Sequence, residues 1–144
     1  MTTLATATAT STATPRAFLA RWTDHATWDT WSPDTEWVRV DGPVGVGTTG
    51  TLKPKGGPRL RFVISECGEE EAGRRTVYAD TTRMPGARVV FRHTARAEGE
   101  QTRLDVEVAV HGPLAPLWSL VLGGGFRTSA PADLERLVTL VERS

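Results

Sequence analysis

From Thr35 to Gly112 the chain has no helical period; it has only strand-length runs broken by turn residues, and this constrains its fold more than any other feature. The runs are roughly Glu36 to Val40, Gly47 to Lys53, Arg59 to Glu66 and Arg75 to Thr82, followed by a hairpin that opens near Val89. Asp41-Gly42-Pro43, Lys55 to Pro58, Gly68 to Gly73 and Met84-Pro85-Gly86 separate them. Links this short predict a mostly antiparallel meander of six strands. The hairpin is the clearest part. Val89, Phe91, His93, Ala95 and Ala97 alternate with Val90, Arg92, Thr94 and Arg96, and Leu104, Val106, Val108 and Val110 alternate with Arg103, Asp105, Glu107 and His111. Gly99 is available for the positive φ of the turn. His93 is the one polar residue on the apolar face of its strand.

Two stretches flank the meander. Thr2 to Thr12 reads either as a low-complexity tail or as a first strand, and its Ala/Thr alternation has the strand period. Thr14-Pro15 is a helix start that places Phe18, Leu19 and Trp22 on one face. Asp24 is a candidate cap for a second short turn, HATWDTW, ended by Ser32-Pro33. At the other end, Leu114 to Arg143 predicts a helix of about 45 Å. Gly123 to Gly125 and Pro131 would break or kink it, with Ser129 capping its second half. In that half Leu134, Leu137, Val138 and Val141 form an apolar stripe.

At 144 residues the chain is read as one domain, residues 1–144, able to bury about 68 to 70% of its unfolded surface without disulfide or metal. The formal net charge is zero, which favours neither nucleic acid nor an anionic membrane as partner. A single cysteine, Cys67, excludes an internal disulfide and fits a reducing compartment. With no signal-like N-terminus and no apolar run of about 18 residues, the expectation is a cytoplasmic protein without integral membrane association. The preference for Arg over Lys, with abundant Ala, Gly and Thr, points to a bacterial source. The only lysines, Lys53 and Lys55, flank Pro54 in a loop-like segment, which argues against Schiff-base chemistry.

The order β-α-α-β6-α, with the FRH of Phe91 to His93, the HGPLAPLW of His111 to Trp118 and the WDTWSP of Trp28 to Pro33, resembles the START-like (SRPBCC) helix-grip superfamily, and within it the polyketide cyclase/dehydrase-like group. The resemblance covers nearly the whole chain. It implies an α+β helix-grip fold: a seven-stranded curved antiparallel sheet around a long C-terminal helix, with an apolar cavity between them for a lipid, polyketide or other hydrophobic molecule. Fold alone does not choose among the carriers, receptors and cyclases of that superfamily. Gly123 to Gly125 and Pro131 depart from its pattern.

Several motifs are set aside on physical grounds. Gly45 to Gly50 matches GxGxxG, but Thr51-Leu52-Lys53-Pro54 cannot make the helix whose N-terminus would receive a pyrophosphate; no cofactor is expected, and the glycines read as a bent strand or a close approach. His25, His93, His111 and Cys67 show no metal-ligand spacing. Ser65 and Ser119 have no triad signature. Arg88, Arg92 and Arg96, beside Arg59 and Arg61, read as a solvated face with acidic neighbours Asp105 and Glu107.

His93 is the leading chemical candidate, as acid, base or ligand-orienting hydrogen-bond partner, against a core histidine satisfied within the protein. Tyr78 and Asp80 share one face of their strand and Val77 and Ala79 the other; periodicity does not say which looks inward, and if the first pair does, Tyr78 and Asp80 are candidate ligand-binding residues, a phenol and a carboxylate suited to holding a phenolic or carbonyl oxygen. Glu66, at the end of the face Leu60, Phe62, Ile64, is expected at a rim. Among the aromatics, Phe62, Phe91, Trp28 and Trp31 are the candidates for ligand contact, ahead of Phe18, Trp22, Trp37, Trp118 and Phe126. Leu117, Leu120 and Val121 are the matching candidates on the last helix. The leading expectation is a monomer or homodimer that binds a hydrophobic small molecule. The alternative is a cofactor-free cyclase, aromatase or dehydratase using His93 as acid or base, with Tyr78 or Asp80 as a candidate partner in the proton transfer. A third reading is an interaction protein whose cavity is filled, which a void below about 300 Å³ would favour.

Overall fold

The computed structural model describes residues Met1–Ser144. Seven strands, β1 (Thr2–Ser11), β2 (Thr35–Val40), β3 (Thr49–Pro54), β4 (Leu60–Glu70), β5 (Arg75–Met84), β6 (Ala87–Glu98) and β7 (Gln101–His111), form one antiparallel sheet. Their order is β1-β7-β6-β5-β4-β3-β2. The six-strand meander is therefore present, and Thr2 to Ser11 joins it as the seventh strand rather than a tail. Its alternating alanines serve packing. Ala5 and Ala7 are buried beneath the long helix α2 (Ala115–Glu142), and their small side chains let the helix lie close over β1.

Helix α1 (Pro15–Trp22) starts where Thr14 accepts a bond from the Ala17 amide at 3.3 Å, and it buries Phe18 and Trp22. A short 3-10 turn (His25–Thr30) follows. Asp24 precedes it but makes no side-chain cap, contrary to expectation. Helix α2 runs unbroken through Gly123 to Gly125 and Pro131, so Ser129 is an interior residue and not a cap. The β6–β7 hairpin turns at Gly99, whose φ of 61° is the positive value such a turn requires.

Two local features set the inner face. A Cβ at Gly50 would run into the Phe62 ring and lie 2.7 Å from the Arg39 carbonyl, so the glycine permits a close approach. In β4 the register slips between Ile64 and Glu66. Before the bulge Phe62 and Ile64 sit opposite Thr82 and Asp80; after it Cys67 sits opposite Tyr78, and Glu66 opposite Ala79. Glu66 is thereby carried to the outer face, where its carboxylate receives the Arg92 guanidinium at 2.6 Å. The expectation of a rim position is corrected: one unpaired residue inverts the alternation that the sequence shows.

No helix is long and apolar enough to cross a membrane.

Candidate functional site

Between the concave face of the sheet and α2 lies a cavity of about 260 Å³. This is slightly below the roughly 300 Å³ at which ligand pockets usually begin. At about 30 Å³ per water it has room for about nine, and so for a ligand of roughly ten to fifteen non-hydrogen atoms. Its sheet wall is mainly apolar, with Phe62 from β4, Val89 and Phe91 from β6, and Val106 and Val108 from β7. Trp28 and Trp31 close it from the 3-10 turn, and Leu122 and Phe126 cover it from α2.

Four polar side chains interrupt the sheet wall: Thr35 from the start of β2, Asp80 and Thr82 from β5, and His93 from β6. The orientation of β5 is thus decided. Tyr78, Asp80 and Thr82 face inward, and Val77 and Ala79 face out. Tyr78 is fully buried and lies behind the wall. Its hydroxyl donates to Asp80 Oδ2 at 3.0 Å and sits 2.8 Å from His25 Nε2. A phenol has one proton, so with Asp80 ionised the His25 Nε2–H is the donor in the second contact. The result is a buried chain, His25 to Tyr78 to Asp80, that ends at the cavity. Burial holds Asp80 at a pKa of about 7, well above 3.8, while the Tyr78 bond partly offsets the rise. Burial also pushes the Tyr78 hydroxyl far up and lowers His25.

His93 is the inward residue expected from its strand. It lies among rings, 5.5 Å from Trp22, 6.0 Å from Tyr78 and 6.4 Å from Trp31 between centroids. Its Nδ1 is buried without a hydrogen-bond partner. Burial depresses its pKa to about 4, so it is uncharged at neutral pH. His93 is therefore neither alone among inward polar groups nor satisfied by the core.

Phe62, Phe91, Trp28, Trp31, Asp80 and His93 all line the cavity, and Tyr78 backs it. Leu117, Leu120 and Val121 do not: they point to solvent, 52%, 85% and 61% exposed. The cavity side of α2 follows Leu122, Phe126, Ser129, Ala130, Asp133 and Leu137 instead. The first half of this helix is apolar on every side, so hydrophobicity there cannot select a face. Trp37 is also outside, its ring between the guanidiniums of Arg39 and Arg59 at 5.1 and 5.6 Å. Trp118 donates to the Pro85 carbonyl at 2.8 Å.

His25 was legible only as a histidine without metal spacing. A 3-10 turn repeats every three residues, and that period carries His25, Trp28 and Trp31 to the same buried side. Ser32, Thr35 and Asp133 gave no sequence signal either. Ser32 Oγ donates to Asp133 Oδ2 at 3.0 Å and lies 3.2 Å from Thr35 Oγ1, forming a polar rim between the start of β2 and α2. Burial raises the Asp133 carboxyl, against the lowering effect of the Ser32 and Arg136 bonds. No group of three or more His, Cys, Asp or Glu side chains is placed to share a metal ion.

Comparison with known proteins bears on the architecture. No curated protein matches the sequence. Among solved structures, a hypothetical protein from Helicobacter pylori superposes with a TM-score of 0.76 at 10% identity, over 95% of this chain and 86% of that one. A STAR-related lipid transfer protein fragment from Xanthomonas axonopodis gives 0.70 at 11% identity, over 95% and 84%. The Zhui aromatase/cyclase from a Streptomyces species gives 0.65 at 18% identity, over 96% and 92%. At these identities the likeness is one of fold, and it is the helix-grip fold. The family model described as polyketide cyclase/dehydrase and lipid transport matches residues 2–142, and the chain belongs to that family.

Proposed function

We propose that this protein binds a small hydrophobic molecule, aromatic in character, between the sheet and α2. The observation that carries the reading is the cavity itself, walled mainly by aromatic and aliphatic side chains, with Asp80, Thr82 and His93 set into the sheet wall and a polar rim of Ser32, Thr35 and Asp133. The volume favours a compact one- or two-ring compound over a long diacyl lipid. Native mass spectrometry of freshly purified protein, together with titration of a panel of fluorescent hydrophobes, tests this. A co-purifying small molecule or saturable uptake is expected; the absence of both sinks the reading.

A second reading follows from the pair of shifted groups. In a cofactor-free dehydratase or cyclase, one group removes a proton from the carbon next to a ketone and another protonates the departing hydroxyl, so that a C=C bond forms and water leaves. With a pKa of about 7, Asp80 is the stronger base of the two, and neutral His93, at about 4, is suited to orient the oxygen or carry a proton briefly. This moves the central proton transfer from His93, where the sequence put it, to Asp80. With a β-hydroxyketone bearing one aromatic ring as substrate, Asp80→Asn and His93→Ala should each lower turnover by about 100-fold. Unchanged turnover in both would eliminate the enzyme reading while leaving binding intact. The modest cavity also fits an interaction protein with a filled interior, and failure of all ligand uptake would select that reading.

A further inference from the structure

The walls of the cavity and its mouth hold three carboxylates, Asp80 inside and Asp34 and Asp133 toward the opening, and no Arg or Lys. On the reading of this cavity as a ligand site, we infer that it accepts aromatic molecules carrying a hydrogen-bond donor or a positive charge, such as aryl amines and alcohols, and excludes carboxylates and other anions.

The argument starts from Asp80. Its one side-chain hydrogen bond comes from Tyr78 and goes to Oδ2, which leaves Oδ1 for a ligand. A carboxylate oxygen in an apolar wall is best satisfied by a donor, and better still by a cationic one. An anion entering the same space would lose its water, find no cation and face Asp80 at close quarters. Cations near the mouth are already engaged. Arg136 is held at the mouth by Asp133 at 3.1 Å, so that carboxylate is already paired and Asp80, inside, is left without a cation, while Lys53, next to Pro54, binds Glu36 at 3.2 Å and the Pro54 carbonyl at 2.8 Å. His93 does not restore positive charge, because burial keeps it neutral down to a pH of about 4. The outer face makes the contrast plain: Arg92 and Arg61 both lie on carboxylates away from the cavity, Glu66 and Asp41.

Three ligands of one shape test the inference: naphthylmethylammonium, naphthylmethanol and naphthoate, each titrated calorimetrically at pH 8, above the Asp80 value of about 7. The ammonium and the alcohol should bind, and naphthoate should bind about tenfold more weakly or not at all. Asp80→Asn should bring naphthoate closer to the alcohol and remove the advantage of the ammonium. Wild-type protein supplies a check that needs no variant. Lowering the pH to 6 protonates Asp80, faced by Tyr78 from β5 and His93 from β6 with Asp34 and Asp133 at the mouth, and should weaken the ammonium relative to the alcohol. Naphthoate binding as tightly as the alcohol at pH 8, or an order unmoved by both Asp80→Asn and pH, overturns the inference while leaving the binding function standing. Failure of all three ligands overturns the inference, and joined to an absence of any co-purifying molecule and of uptake across the hydrophobe panel it overturns the binding function as well.

Discussion

Asp80 and Glu66 lie on neighbouring strands of one sheet, and they behave as opposites. Glu66 is on the outer face, partly exposed, with Arg92 at 2.6 Å. Asp80 is on the inner face, fully enclosed, with a phenol as its only side-chain partner. Solvent screens the first and makes it interchangeable with other surface pairs. Enclosure makes the second costly to ionise and therefore chemically available near neutral pH. The lesson is that the outer face of this sheet is charged for solubility, whereas the few inner polar groups are held at an energetic cost to the fold.

The most forceful way to break that comparison is to remove the inner charge. An acid whose folded-state pKa lies above its unfolded value loses stability as pH rises between the two, here from 3.8 to about 7. At pH 8 the whole penalty is present, up to about 4 kcal/mol at roughly 1.4 kcal/mol per unit. Asp80→Asn should therefore raise the urea midpoint at pH 8 and give no such gain at pH 4. An equal effect at both pH values would mean that the amide acts through packing, not charge.

His93 sharpens the comparison with the opposite sign. Its depressed pKa gives stability that is present above 6.5 and is lost as pH falls toward about 4. Between those values the two groups oppose each other, each with a slope of about 1.4 kcal/mol per pH unit. Difference profiles of single variants against the parent should separate them. Relative to the parent, His93→Gln should gain stability steadily as the solution is acidified from pH 6.5 to 4, and Asp80→Asn should lose it. Parallel profiles would rule out the assigned protonation states.

The smallest effect belongs to the outer face. Glu66→Gln should change stability by about 0 to 1 kcal/mol, and less in high salt. A loss above about 2 kcal/mol in thermal or urea unfolding would show that the Arg92 pair is shielded in a way that its exposure does not indicate.

Much of the architecture was legible along the chain, because period-two alternation and turn residues are local properties. The runs from Thr35 to Gly112, the Thr14-Pro15 helix start and the Gly99 turn all follow from such local rules. So does the inward placement of Phe91 and His93 on a strand whose apolar face is unambiguous. Strand β5 offered no such asymmetry, since Val77 and Ala79 are as apolar as Tyr78 and Asp80 are polar, and both faces are buried. Its register against β6, which sets Tyr78 opposite His93 and Asp80 opposite Phe91, decided that the polar pair faces inward.

Other outcomes depended on contacts between distant segments. The bulge at Ser65 reversed the alternation of β4 and sent Glu66 outward. Packing on β1 and β7 chose which side of α2 covers the cavity, against Leu117, Leu120 and Val121, and held that helix continuous through its glycines and Pro131. The joining of His25, 53 residues distant in sequence, to Tyr78 and Asp80 belongs to the same class. The sequence by itself determined the strands, the helices and an apolar interior, because those arise from spacing. Tertiary structure decided the protonation states and the size of the cavity, because both depend on what surrounds a side chain and not on its neighbours along the chain.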